Sequence, residues 1–181
     1  MKLYERLPDS IVFNGKKVKL NLDFRNVLRM IDILSRDDLT PDAREYLALK
    51  CICKRPKNGM MFPVRRLLFP NKGTGEKLTD LDQDADLIRA AFLQTYGINL
   101  YRDKLNWFEF SCLLSSIPSG TRYADIIGIR AKPIPAPNKY NAEERERLLK
   151  AKAEFSLHNE HFDYSESVGN VAKFLLSLGG E

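Results

Sequence analysis

The chain has 181 residues, of which 44% are hydrophobic and 29% charged, with a formal net charge of +5 and three cysteines. That length bounds it to one domain with room for an appendage, burying about 70% of the surface its unfolded form exposes. The composition excludes a disordered chain and argues against a secreted disulfide scaffold. No apolar run approaches the roughly 20 residues that span a bilayer, and the first six residues have no apolar core or cleavage site. Residence in the cytoplasm, without membrane contact, is therefore expected.

Leu7-Pro8-Asp9-Ser10 leads into two short apolar runs, Ile11-Val12-Phe13 and Val18-Lys19-Leu20, around Asn14-Gly15. Asn-Gly suits the positive backbone angles of a tight turn, so a two-stranded hairpin is predicted, with its apolar side against the helices that follow. Asp23 is placed to cap a helix in which Phe24, Val27, Leu28, Ile31 and Leu34 form one stripe. After Asp37-Asp38-Leu39, Thr40-Pro41 restarts a helix as cap and first residue, running through Leu47 to about Cys53.

From Lys50 to Lys77 the chain carries Lys50, Lys54, Arg55, Lys57, Arg65, Arg66, Lys72 and Lys77 against the single acid Glu76. This local excess is larger than the net charge of the whole chain, so basicity is concentrated in one patch. Such a patch suits phosphates, but it lacks aromatic interleaving and a recognisable reading helix. With Pro63 and Pro70 bracketing only Val64 to Phe69, a solvated, mobile connector between helices is the favoured reading. Gly73-Thr74-Gly75 lacks the spacing of a phosphate-binding loop. Cys51, Cys53 and Cys112 read as reduced core thiols, and two thiols two residues apart on a helix point about 200° apart, a poor pair for one metal.

Asp80, Asp82, Asp84 and Asp86 precede an apolar helix instead of completing a calcium loop, so their expected role is to meet the positive end of the helix dipole. Leu81, Ala85, Ile88 and Phe92 are its predicted buried stripe, and Gly97 its C-terminal break. Leu105 to Ile117 is apolar on most sides, which places a helix in the middle of the bundle. Trp107, the only tryptophan, reads first as a core anchor, with Trp107 and Phe110 kept as candidate partner contacts. Pro118 ends that helix, and Ser119 is placed to cap a short one carrying Tyr123, Ile126 and Ile127 before Gly128.

Pro133, Pro135 and Pro137 forbid helix and mark an extended spacer. Asn141 then caps a charged helix, Ala142 to Leu149, with too few apolar residues to stand without a neighbour. At the chain end Val171, Phe174, Leu175 and Leu178 recur at spacings of three and four, a face for docking on the body of the protein or on a partner. His158, His161 and Asp163 are weak grounds for a metal site, and no metal or cofactor is expected. The predicted fold is mainly α: a small helical bundle with an N-terminal β-hairpin over residues 1–131, a proline-rich spacer over 132–140, and a C-terminal helical arm over 141–181.

The hairpin opening, the Asp23-Phe24-Arg25 helix start, Asp84-Ala85-Asp86 leading to Ala91-Phe92 and Tyr96-Gly97-Ile98, and the Trp107 helix followed by Gly128-Ile129-Arg130 together resemble the gene-product-fifteen family of small bacteriophage proteins. The resemblance covers Leu7 to Arg130 and departs from the family in the basic patch, in Phe108 where a second tryptophan is common, and in the spacer and tail. It implies a non-enzymatic tail-assembly chaperone in the host cytoplasm that binds the tape-measure protein, aids recruitment of the tail-tube protein and leaves the finished particle, with a homo-oligomer as a further possibility. The alternatives are a nucleic-acid-binding regulator using residues 50–77, or a structural head–tail component that stays in the particle. An enzyme is disfavoured, since the chain offers two histidines close together in its tail and no nucleophile motif.

Overall fold

A computed structural model describes residues 5–70 and 77–157. Strands β1 (Ser10–Phe13) and β2 (Lys16–Lys19) precede helices α1 (Phe24–Leu34), α2 (Pro41–Ile52), α3 (Met61–Leu68), α4 (Ala85–Tyr96), α5 (Trp107–Ser115), α6 (Arg122–Ala131) and α7 (Ala142–Glu154). The fold is mainly α with one antiparallel hairpin, as the patterning predicts. Asn14 and Gly15 both take positive φ (48° and 72°), and Ile11 pairs with Val18, which turns Ile11 into the core and leaves Val12 facing out.

The helix starts follow from their caps. Asp23 accepts from the Arg25 N–H at 3.0 Å, and Thr40 caps α2 with Pro41 at its first position. Asn106 and Glu109 form a reciprocal capping box on α5. The caps of α1 and α5 are also joined to each other: Phe24 N–H donates to the Leu105 carbonyl at 3.0 Å and Trp107 N–H to that of Leu22 at 2.7 Å. The two helices therefore start side by side, which brings Phe24 onto Phe110 with ring centroids 4.7 Å apart. Phe92 stacks on the other side of Phe110 at 5.3 Å, and Phe69 meets Trp107 edge-on at 5.9 Å.

Several expectations change. Residues 61–68 form α3, which buries Met61, Val64 and Leu68, so this part of the basic segment is a packed helix and no connector. Pro63 is its third residue, in the first turn, where a missing N–H costs nothing. Met30, fully buried, completes the α1 stripe, while Leu28 and Leu34 are half-buried. Thr121, not Ser119, caps α6 by accepting from the Ala124 N–H, and the helix runs through Gly128. Asn141 makes no side-chain cap bond on α7; its amide instead accepts from the Asn138 N–H and donates to the Ala136 carbonyl. Cys53 is buried and Cys51 half-buried as expected, but Cys112 is exposed.

The four acids before α4 divide their roles. Asp86 alone sits in the first turn, exposed and paired with Arg89 at 2.7 Å. Asp80 accepts from the N–H groups of Asp82 and Gln83 and pairs with Lys77 at 2.7 Å. Burial pushes its carboxyl up, but the Lys77 ammonium and these two amides outweigh burial and hold it below the ordinary carboxylate range. A depressed folded-state value contributes stability that is present above about pH 4, the unfolded value, and is lost as the pH falls through the folded one. Asp80→Asn is therefore expected to be less stable than the parent at neutral pH, and the two urea midpoints should converge in acid below about pH 4. A gap that stays constant down to acid would refute a charge-based role.

Asp84 is buried and pairs with Arg130 of α6 through two bonds, at 2.7 and 2.9 Å. Arg130 also donates to the carbonyls of Leu78 and Phe155. One guanidinium thus joins α4, the strand of chain before it, α6 and the end of α7. Lys152 of α7 donates to the Arg130 carbonyl, Leu148 is buried, and Arg122 stands 5.1 Å over the Phe155 ring. The charged helix gains its neighbour by folding back onto α6. No helix among the described residues is long and apolar enough to cross a membrane.

Candidate partner-binding groove

Where β2 ends, the Asn21 N–H donates to the Ile52 carbonyl at 2.7 Å, which ties the hairpin to the last turn of α2. Cys53 leaves that turn in extended conformation, and Gly59, at φ 81°, returns the chain to the buried Met60. Between the hairpin and this return lies an open groove of about 970 Å³. Leu20, Ile52, Cys53 and Met60 form its floor, all buried, with Phe13 and Val18 half-buried at its side.

Lys16, Lys17 and Lys19 of β2 line one wall, and Lys54, Arg55 and Lys57 the other. No acid lines it. Among the described residues none of these six cations has an ion-pair partner within 4.0 Å. Six cations gathered in the lining of one groove favour an anionic occupant. A second, smaller pocket of about 330 Å³ near Leu28 and Leu81 contrasts with it. There Arg25 is committed to Asp23 and to the carbonyls of Leu100 and Asp103, and Arg89 to Asp86 and the Tyr101 ring, which leaves Arg29 as the lining cation without an ion-pair partner among the described residues.

The groove gathers only part of the basic segment. Lys54, Arg55 and Lys57 line it; Lys50 is exposed on α2, Arg65 and Arg66 are exposed on α3, and Lys77 is paired with Asp80. Lys72 lies outside the described residues, as do Val171, Phe174, Leu175 and Leu178 of the apolar tail and the histidines His158 and His161. The three hairpin lysines are the residues that linear charge counting overlooks; the signal was three cations in the four positions of one short strand.

Trp107 and Phe110, the candidate partner contacts of the central helix, lie in the core. They are 1% and 2% exposed, enclosed by each other and by Phe24, Phe69 and Phe92. A ring already covered on its faces has no surface to offer a partner, so both belong to the core. Among the described residues no cluster of His, Cys, Asp or Glu is arranged to hold a metal ion.

A family model described as bacteriophage Gp15 protein matches residues 3–69 and 55–157. Neither the curated proteins nor the solved structures contain a match to this chain.

Proposed function

The chain belongs to the bacteriophage Gp15 protein family, and from that premise we propose that it is a non-enzymatic tail-assembly chaperone acting in the host cytoplasm. In this reading it binds the tape-measure protein, keeps its apolar segments from aggregating, and aids recruitment of the tail-tube protein. The observation that carries the reading is the groove itself, where half-buried Phe13 and Val18 present apolar surface over a buried floor, between two cationic segments. Such a surface suits repeated contacts with a long amphipathic chain. The apolar tail residues Val171, Phe174, Leu175 and Leu178 supply a second face for the same partner.

The test is co-expression with the tape-measure protein of the same phage, followed by pull-down with nuclease present. A soluble complex is expected, and its absence would overturn the proposal. Because α7 is packed on α6, a truncation that isolates the tail removes residues after Leu157 and leaves α7 in place. That truncation is expected to lower the yield of soluble tape-measure protein; an unchanged yield would remove the tail from the interface.

The six groove cations, without an ion-pair partner among the described residues, also favour a second reading, a nucleic-acid-binding regulator. It differs in its salt response: neutralising several phosphates makes affinity fall steeply and linearly with log salt, whereas a contact carried by apolar area persists.

A further inference from the structure

The phase of the hairpin decides what its outer edge can do. In a two-residue hairpin the pair flanking the turn exchanges backbone bonds, here Phe13 with Lys16, and every second pair repeats it. The Leu20 N–H bond to the Asp9 carbonyl at 2.7 Å falls on that phase. Lys17 and Lys19 therefore turn their N–H and C=O groups away from β1. The same outward phase reaches Asn21, whose N–H meets Ile52 at the closed end of the groove. Among the described residues no backbone bond outside the hairpin occupies Lys17 or Lys19.

We propose that the outer edge of β2 takes up an extended, acidic segment of the partner protein as an added strand, lying in the groove. This rests on the partner-binding reading above and specifies the chemistry of what binds there. The two outward N–H and two outward C=O groups supply main-chain pairing for a peptide. Side chains of an extended strand alternate between faces, so one set lies on the apolar side with half-buried Val18 and Phe13 while the other meets Lys17 and Lys19. A partner strand alternating apolar and acidic residues satisfies both.

The same features select against other occupants. A second copy of β2 would set Lys17 and Lys19 against lysines, and like charges across a strand pair are destabilising. Phosphate oxygens are acceptors only, so a phosphate backbone cannot pair with the outward carbonyls of Lys17 and Lys19 as a strand does. Exposed lysines on an edge strand ordinarily keep sheets from aggregating. Here that protection doubles as selection, because an acidic strand is the one kind that the edge admits.

The experiment uses the full chain with two probes: a short synthetic peptide alternating glutamate with valine, and the tape-measure protein. Amide hydrogen exchange is followed residue by residue, with a peptide alternating lysine with valine and a single-stranded oligonucleotide as comparisons. Binding of the acidic peptide is expected to protect the amides of Lys17 and Lys19, leaving those of Lys16 and Val18, already paired to β1, unchanged. Lys17→Pro removes an outward N–H without touching the ladder, a substitution that an edge strand tolerates, and should weaken acidic-peptide binding about tenfold relative to Lys17→Ala. Lys17→Glu/Lys19→Glu should abolish acidic-peptide binding and admit the basic peptide. Retained secondary structure by circular dichroism shows that each variant folds. If the tape-measure complex forms while the Lys17 and Lys19 amides stay unprotected and Lys17→Pro binds normally, the strand proposal falls and the chaperone reading stands. If no protein complex forms and only the oligonucleotide binds, both fall.

Discussion

Arg130→Ala is expected to cost about 3–5 kcal/mol of folding stability, the range for breaking a buried ion pair by removing one partner. For a chain of this size that corresponds to a fall in Tm on the order of 10 °C. The reason is what remains behind. The side chain of Asp84 is 1% exposed, so without the guanidinium a carboxylate is left buried without its main partner, and the Leu78 and Phe155 carbonyls each lose a donor. Arg130→Met with Asp84→Leu removes both charges and should recover part of the loss, but not all, since the two carbonyls stay unsatisfied. Thermal unfolding of Arg130→Met, Asp84→Leu and the double variant closes the cycle. A single-variant loss below about 1 kcal/mol would place the pair among solvent-screened surface bridges and contradict its burial. Amide exchange in α7 gives an independent readout: its protection should drop first, because Arg130 and Lys152 tie that helix to the body.

That ion pair also marks the limit of reading this chain linearly. Local signals placed most elements: Asp23 and Thr40-Pro41 started helices where expected, Asn14-Gly15 turned the hairpin, and Gly97, at φ 68°, ended α4. These signals lie within a few residues of the structure they dictate. Asp84 and Arg130 stand 46 positions apart, and nothing in either neighbourhood announces the other. The acid run was legible as a helix start, whereas which acid goes inward depends on where α6 crosses. α3 escapes the patterning because Pro63 reads as a breaker, when a proline in a first turn is permissive. The groove does not show in the sequence for a related reason: its cations come from two segments, Lys16 to Lys19 and Lys54 to Lys57, distant in the chain and brought together by core packing and the Asn21–Ile52 bond. Counting charge along the chain merged Lys54 with Lys77, which faces Asp80, and separated it from Lys17, which shares its groove.

Trp107→Ala is expected to cost about 3–5 kcal/mol, the range for truncating a large buried aromatic, because the cavity it leaves cannot collapse without moving Phe69 and Phe110. Trp107→Phe keeps most of the apolar volume and should cost less. The pair of variants separates two roles for this residue. If Trp107 acts through the core alone, partner capture per folded molecule stays at the parental level in Trp107→Phe, and the loss in Trp107→Ala tracks the unfolded fraction. If Trp107→Phe folds with a parental urea midpoint yet loses the partner, the indole makes a contact that its burial denies. The capping bonds explain why the core reading is the stronger. Trp107 is the first residue of α5, held by its own N–H on the Leu22 carbonyl beside the start of α1, so its ring enters the bundle where the two helices begin. A partner can reach it only if that junction opens. The groove requires no such opening: half-buried Phe13 and Val18 already present apolar surface there, beside cations suited to an acidic chain.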